Sequence, residues 1–170
     1  GNKEFPIKKH DIIACPPGGR DVAHQIINTS NGDLKYLEES IWFYDRGFSL
    51  VQDYYNGINA TFMLYKKASV LKAKNDDEWE DAKTDADSMR NKVLKAALAL
   101  ESAPNFKERG DAVWVLYTIA EGYNYKGKTD LMTEYEAKAA EVAKNTNDQF
   151  ATSSYEEQKA KIALLKEVME

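Results

Sequence analysis

"WEDAKTDADSMRNKVLKAALAL", Trp79 to Leu100, decides the fold. Trp79, Ala82, Ala86, Met89, Val93, Ala96 and Leu100 recur at alternating intervals of three and four. That interval returns a side chain to the same side of a helix, so the series predicts one long helix from about Asp77 to Ser102. Its many alanines allow a neighbouring helix to approach closely. Upstream, Leu34, Leu37, Ile41, Tyr44 and Phe48 keep the same alternation and predict a helix from about Asp33 to Leu50. Between the two, Tyr54 to Ala73 reads as a helix ended by Lys74-Asn75-Asp76-Asp77. The acids of that run suit the positive N-terminus of the helix that follows. A calcium loop is the sharper reading of the same acids, but its glycine and ligand spacing are missing.

Pro104 and Asn105 interrupt the chain before a helix from about Lys107 to Tyr125. Val113, Leu116, Ala120 and Tyr123 share one side of it, and Gly127 stops it. Leu131, Tyr135, Ala139 and Val142 define its partner, and "NTNDQFATSS" reads as a polar connection. Ser154 followed by Glu157 has the spacing of a capping box, opening a last helix lined by Tyr155, Ile162, Leu165 and Met169. The expected class is all-α. Short connections favour antiparallel neighbours, hence helical hairpins. Ala120, Tyr123, Gly127 and Ala139 stand at the offsets of a tetratricopeptide repeat, so the hairpins are expected to stack as irregular tetratricopeptide-like repeats, an α-solenoid. Met132 replaces the usual alanine, and helices starting at Asp53 and Asp111 lie further apart than a regular 34-residue period, hence the irregularity.

Composition narrows the function. The 170 residues, 43% hydrophobic, suffice for one domain with its own core. We expect an irregular segment over residues 1–20 and one helical-repeat domain over 21–170. Lys and Arg number 23 against 28 Asp and Glu, and the net charge of -5 is scattered. Nucleic acid and anionic membrane are therefore disfavoured as partners, since both select clustered basic residues. No apolar run approaches the roughly 20 residues of a membrane span. The single Cys15 cannot close an internal disulfide, which fits a cytoplasmic location. Opening on Gly1 leads to the expectation of a segment from a longer protein.

Two stretches carry a family resemblance. "IWFYDRGFSLVQDYYNGINATFML", Ile41 to Leu64, resembles the TRAFs-binding domain of apoptosis signal-regulating kinases and its bacterial relatives. There an aromatic-rich helix ending in Gly-Phe leads into Tyr-x-Gly-Ile-Asn. "DAVWVLYTIAEGY", Asp111 to Tyr123, is similar to that family's Trp-x-x-x-x-Thr-x-x-Glu helix at Trp114, Thr118 and Glu121, although this chain has one residue fewer between Trp114 and Thr118. The resemblance implies a tetratricopeptide-like fold serving as a regulatory or scaffolding segment without catalysis of its own.

Chemical candidates are few. Cys15 with His10 and His24 has the residue types of a thiol nucleophile and base, or of zinc ligands, without a recognised spacing. "PPGGRD" lacks the pattern of a phosphate loop. No cofactor and no metal are expected. Gly57 within a helix costs about 1 kcal/mol relative to alanine, which close packing of the helix ending in Gly47-Phe48 would offset. Gly47, Gly57, Asn59 and Trp114 are thus expected to form a structural joint. With Ala120 at the close contact, Tyr117, Glu121 and Asn124 would face a concave groove, joined by Tyr54 and Thr61 from the earlier helix. A groove of Tyr, Asn and Glu suits a peptide or protein partner, including another domain of the same full-length chain. The expected function is a non-catalytic interaction and regulatory module of a signalling protein. The alternatives are a small-ligand, nucleotide-like sensor and a thiol enzyme using Cys15.

Overall fold

Six α-helices and one 3-10 turn account for the ordered elements in the computed structural model, which describes residues 34–170. The helices are α1 (Leu34–Val51), α2 (Tyr54–Ala73), α3 (Trp79–Glu101), α4 (Ala112–Tyr125), α5 (Thr129–Thr146) and α6 (Gln149–Met169), with the 3-10 turn at Phe106–Glu108. The class is all-α, and no strand occurs among the described residues. The expectations for residues 1–20, for His10, Cys15 and His24, and for the boundary near residue 20 lie outside the described residues.

Local chemistry explains the joints. Asp53 caps α2, its carboxylate accepting from the Tyr55 amide at 3.0 Å. Gly127 ends α4 at φ 65°, a left-handed turn open to glycine. Two starts differ from expectation. α4 begins at Ala112, because residues 106–108 take the tighter 3-10 turn after Pro104. α6 begins at Gln149, and Ser154 lies inside it. Asn147 turns the chain at φ 54°, and the Asp148 carboxylate accepts from the Ala151 amide at 3.1 Å, so capping happens six residues before Ser154.

α4 is the centre of the described unit: ten of its 14 residues are buried, including Val115, Ile119 and Ala120. α2 pairs extensively with α1 and α3, α4 pairs with α5, and α6 crosses α2, α4 and α5. Small residues mark the close approaches, with Ala60, Ala86, Ala97, Ala120 and Ala139 all fully buried. Gly57 is the tightest crossing. A β-carbon there would lie 2.4 Å from Val93 Cγ2 of α3 and 2.6 Å from Phe48 Cδ2 of α1. Missing side-chain volume therefore lets three helices meet at one point. At Gly47 the nearest group is the Asn56 amide, 2.8 Å from a β-carbon position. Asn59 donates to Tyr55 O, one turn back on its own helix, at 2.7 Å.

Candidate functional site

The five groove candidates lie inside the fold. Tyr54, Thr61, Tyr117 and Glu121 are buried, and Asn124 is half-buried. Thr61 returns its hydroxyl to Gly57 O at 2.9 Å and has no role at a surface. Tyr54 donates to Asp111 Oδ2 at 3.0 Å, just before α4. The expectation of an open groove is corrected accordingly. The physical reason is α6, which lies over the α4 residues and takes up their polar groups.

Tyr117, Glu121 and Asn124 each meet this last helix. Tyr117 Oη and Thr152 Oγ1 are 3.0 Å apart, and the Tyr117 ring stacks on Tyr155 at 4.4 Å between centroids. Gln158 Nε2 donates to Glu121 Oε1 at 3.4 Å. Lys166 Nζ donates to Asn124 O at 2.5 Å and to its Oδ1 at 2.9 Å. Trp114, one turn before Tyr117, packs on Phe150 of α6 with ring centroids 6.0 Å apart. At the far end, Lys72 of α2 donates to Met169 O at 2.5 Å. Both lysines sit at helix C-termini, where carbonyls lack intrahelical donors and the helix dipole favours a cation.

Electrostatics single out Glu121. Burial pushes its carboxyl up to about 8, opposed only by the hydrogen bond from Gln158. Beneath it, Tyr125 stacks on Tyr65 at 4.3 Å, and the Tyr125 hydroxyl is a buried atom without a hydrogen-bond partner. Burial, then the Glu121 and Tyr65 charges, raise the Tyr125 phenol. Arg90, also buried, donates to Tyr65 Oη at 2.6 Å and to Asp87, leaving Nε unpaired. A polar column thus runs between α2, α3, α4 and α6.

Three tyrosine clamps were not apparent from sequence. Each couples a buried phenol to an acid that also holds a base. Tyr54 binds Asp111, which pairs twice with Arg109 at 2.8 and 2.9 Å. Tyr65 binds Asp87, paired with Arg90 and Lys83. Tyr155 binds Glu136 at 2.7 Å, which accepts Lys159 at 2.6 Å. Burial would raise Asp87 and Asp111, but the bonds and charges of their partners hold both below the usual carboxylate range.

No group of three His, Cys, Asp or Glu able to hold a metal occurs among the described residues. Among the same residues, no helix is long and apolar enough to cross a membrane. Compared with protein-family models, curated proteins and solved structures, the chain matches none.

Proposed function

We propose that the chain is a non-catalytic interaction module of irregular tetratricopeptide-like hairpins, taking an amphipathic helix across the face built by α2 and α4. One observation carries this reading: α6 already lies on that face as a helical occupant. Tyr117, Glu121 and Asn124, one turn apart on α4, each engage a side chain of α6, at Thr152, Gln158 and Lys166. The apolar anchors are Ala151, Tyr155 and Ile162, the only buried residues of α6. A partner helix of the same chemistry, with a small residue, an aromatic and a branched aliphatic along one stripe, fits the same contacts. The pairing of α1 with α2 and α4 with α5 supports the hairpin arrangement, and the resemblance to the TRAFs-binding domain supports a regulatory role in a signalling protein of the cytoplasm.

A labelled peptide of residues 149–170 tests this. Bound to the full chain, it competes with the tethered α6, whose effective concentration is of millimolar order. Ile162 is fully buried, so Ile162→Ala in the chain weakens the tethered helix and should raise peptide affinity. The same change in the peptide should lower it. Absence of saturable peptide binding to either chain would refute the reading.

A further inference from the structure

α6 is one of the helices, with α1 and α5, that bury few residues. Three of its 21 residues are buried, against ten of 20 in α2. Around these anchors, Leu165 and Met169 add partly buried apolar contacts, Phe150 packs on Trp114, and polar bonds run to Tyr117, Glu121, Asn124, Glu136 and Lys72. An element with few buried apolar residues belongs to the low-stability end of a fold and opens separately from the core. One of its polar contacts is also unbalanced. Glu121 is 6% exposed, yet its carboxylate receives one long bond, from Gln158 at 3.4 Å.

Resting on the reading of the α2–α4 face as a helix-binding surface, we propose that α6 is a proton-gated cover: loss of the Glu121 proton undocks it and opens that face to a partner helix. A protonated carboxyl is tolerated under α6. A carboxylate there lacks the two or three donors that a buried anion requires, while release of α6 returns it to water. The surrounding charges do not supply a counter-ion. Arg90 of α3 is committed to Asp87 and to Tyr65 of α2. Lys166 of α6 is committed to Asn124. Tyr125 of α4 and Tyr155 of α6 are phenols whose own ionisation the Glu121 charge opposes, Lys159 of α6 is committed to Glu136 of α5, and Glu156 of α6 adds negative charge.

The sign follows from linkage. In the undocked state, returned to water, the Glu121 carboxyl is expected to fall back towards the ordinary glutamate value, about 4.3. In the docked state burial raises it to about 8. Docking is therefore fully favoured below the lower value and weakens as pH rises towards the higher one. The ratio of open to closed rises about tenfold per pH unit between those values and levels off above the upper.

Thiol labelling of the full chain carrying Cys15→Ser and Ala151→Cys reads this opening, because Ala151 is on the inward side of α6 and fully buried while that helix is docked. Rates are divided by those of an unstructured peptide at the same pH, removing the reagent's own dependence. We expect about a tenfold rise per unit from about pH 6 to pH 8, and a flat, slow profile in Glu121→Gln. A flat parent profile, or an equal slope in Glu121→Gln, overturns the gate. Should Glu121→Gln lose its helical circular dichroism, Glu121→Met serves the same purpose. Labelling that falls into step with global unfolding in urea would also overturn it. The assay contains no partner, so failure of the gate and failure of peptide binding are separate results.

Discussion

Gly57→Ala should destabilise the protein although alanine is the better helix former. Alone, the exchange would favour α2 by about 1 kcal/mol. Against this, the added β-carbon would stand 2.4 Å from Val93 Cγ2 and 2.6 Å from Phe48 Cδ2. Val93 is β-branched and 1% exposed, and Phe48 is buried, so neither has a free rotamer to retreat to. Overpacking of this kind costs about 1–3 kcal/mol, and two simultaneous clashes place it in the upper part of that range. The net expectation is a loss of about 1–2 kcal/mol, or roughly 2–8 °C in Tm for a chain of this size. Urea unfolding followed by far-ultraviolet circular dichroism measures it. Val93→Ala supplies the second arm, since removing the clashing methyls makes room for the new one. The double variant should be less unstable than the sum of the singles by at least about 0.5 kcal/mol. Equal or greater stability of Gly57→Ala, or strict additivity in the cycle, would refute the crossing described here.

Further outcomes follow from the joints and clamps. Gln52 links α1 to α2 at φ 48° and is exposed, so Gln52→Gly should raise stability by up to about 1 kcal/mol in the same unfolding assay. Tyr54→Phe keeps the ring and removes the donor to Asp111, and should cost about 1 kcal/mol. Asp87 and Asp111 are both held below their ordinary range, so their contribution is present above about pH 4 and is lost as pH falls through the folded values. Asp87→Asn should therefore flatten the acid limb of a stability–pH profile, while leaving the alkaline limb, where Glu121 acts, unchanged. Tyr117→Ala removes a buried ring stacked on Tyr155 and should cost about 3 kcal/mol or more, whereas Tyr117→Phe keeps the stack and loses only the bond to Thr152.

The legibility of this chain followed the range of each interaction. α1 to α3 could be read because apolar residues recur at helical intervals, and observed ends fall within two residues of the expected ones. The start of α6 was obscured because Ser154 and Glu157 have capping spacing, while the actual turn rests on Asn147 and Asp148 within a uniformly polar run. Tyr117, Glu121 and Asn124 share a face by simple spacing. That the chain's own last helix covers this face depends on contacts 35 to 42 residues apart, which periodicity does not encode. The clamps were hidden for the same reason: Tyr54 and Asp111 are separated by 57 positions, and each alone looks like an ordinary polar residue.

The contact between Trp114 and Phe150 has a practical consequence. The chain contains three tryptophans, and the Trp114 ring packs on a ring of α6. With Trp42→Phe and Trp79→Phe, indole emission would come from a single ring whose neighbour leaves whenever the last helix does. The protein would then carry its own optical gauge of helix movement, sensitive to a shift of a few ångströms and readable in stopped flow without a dye.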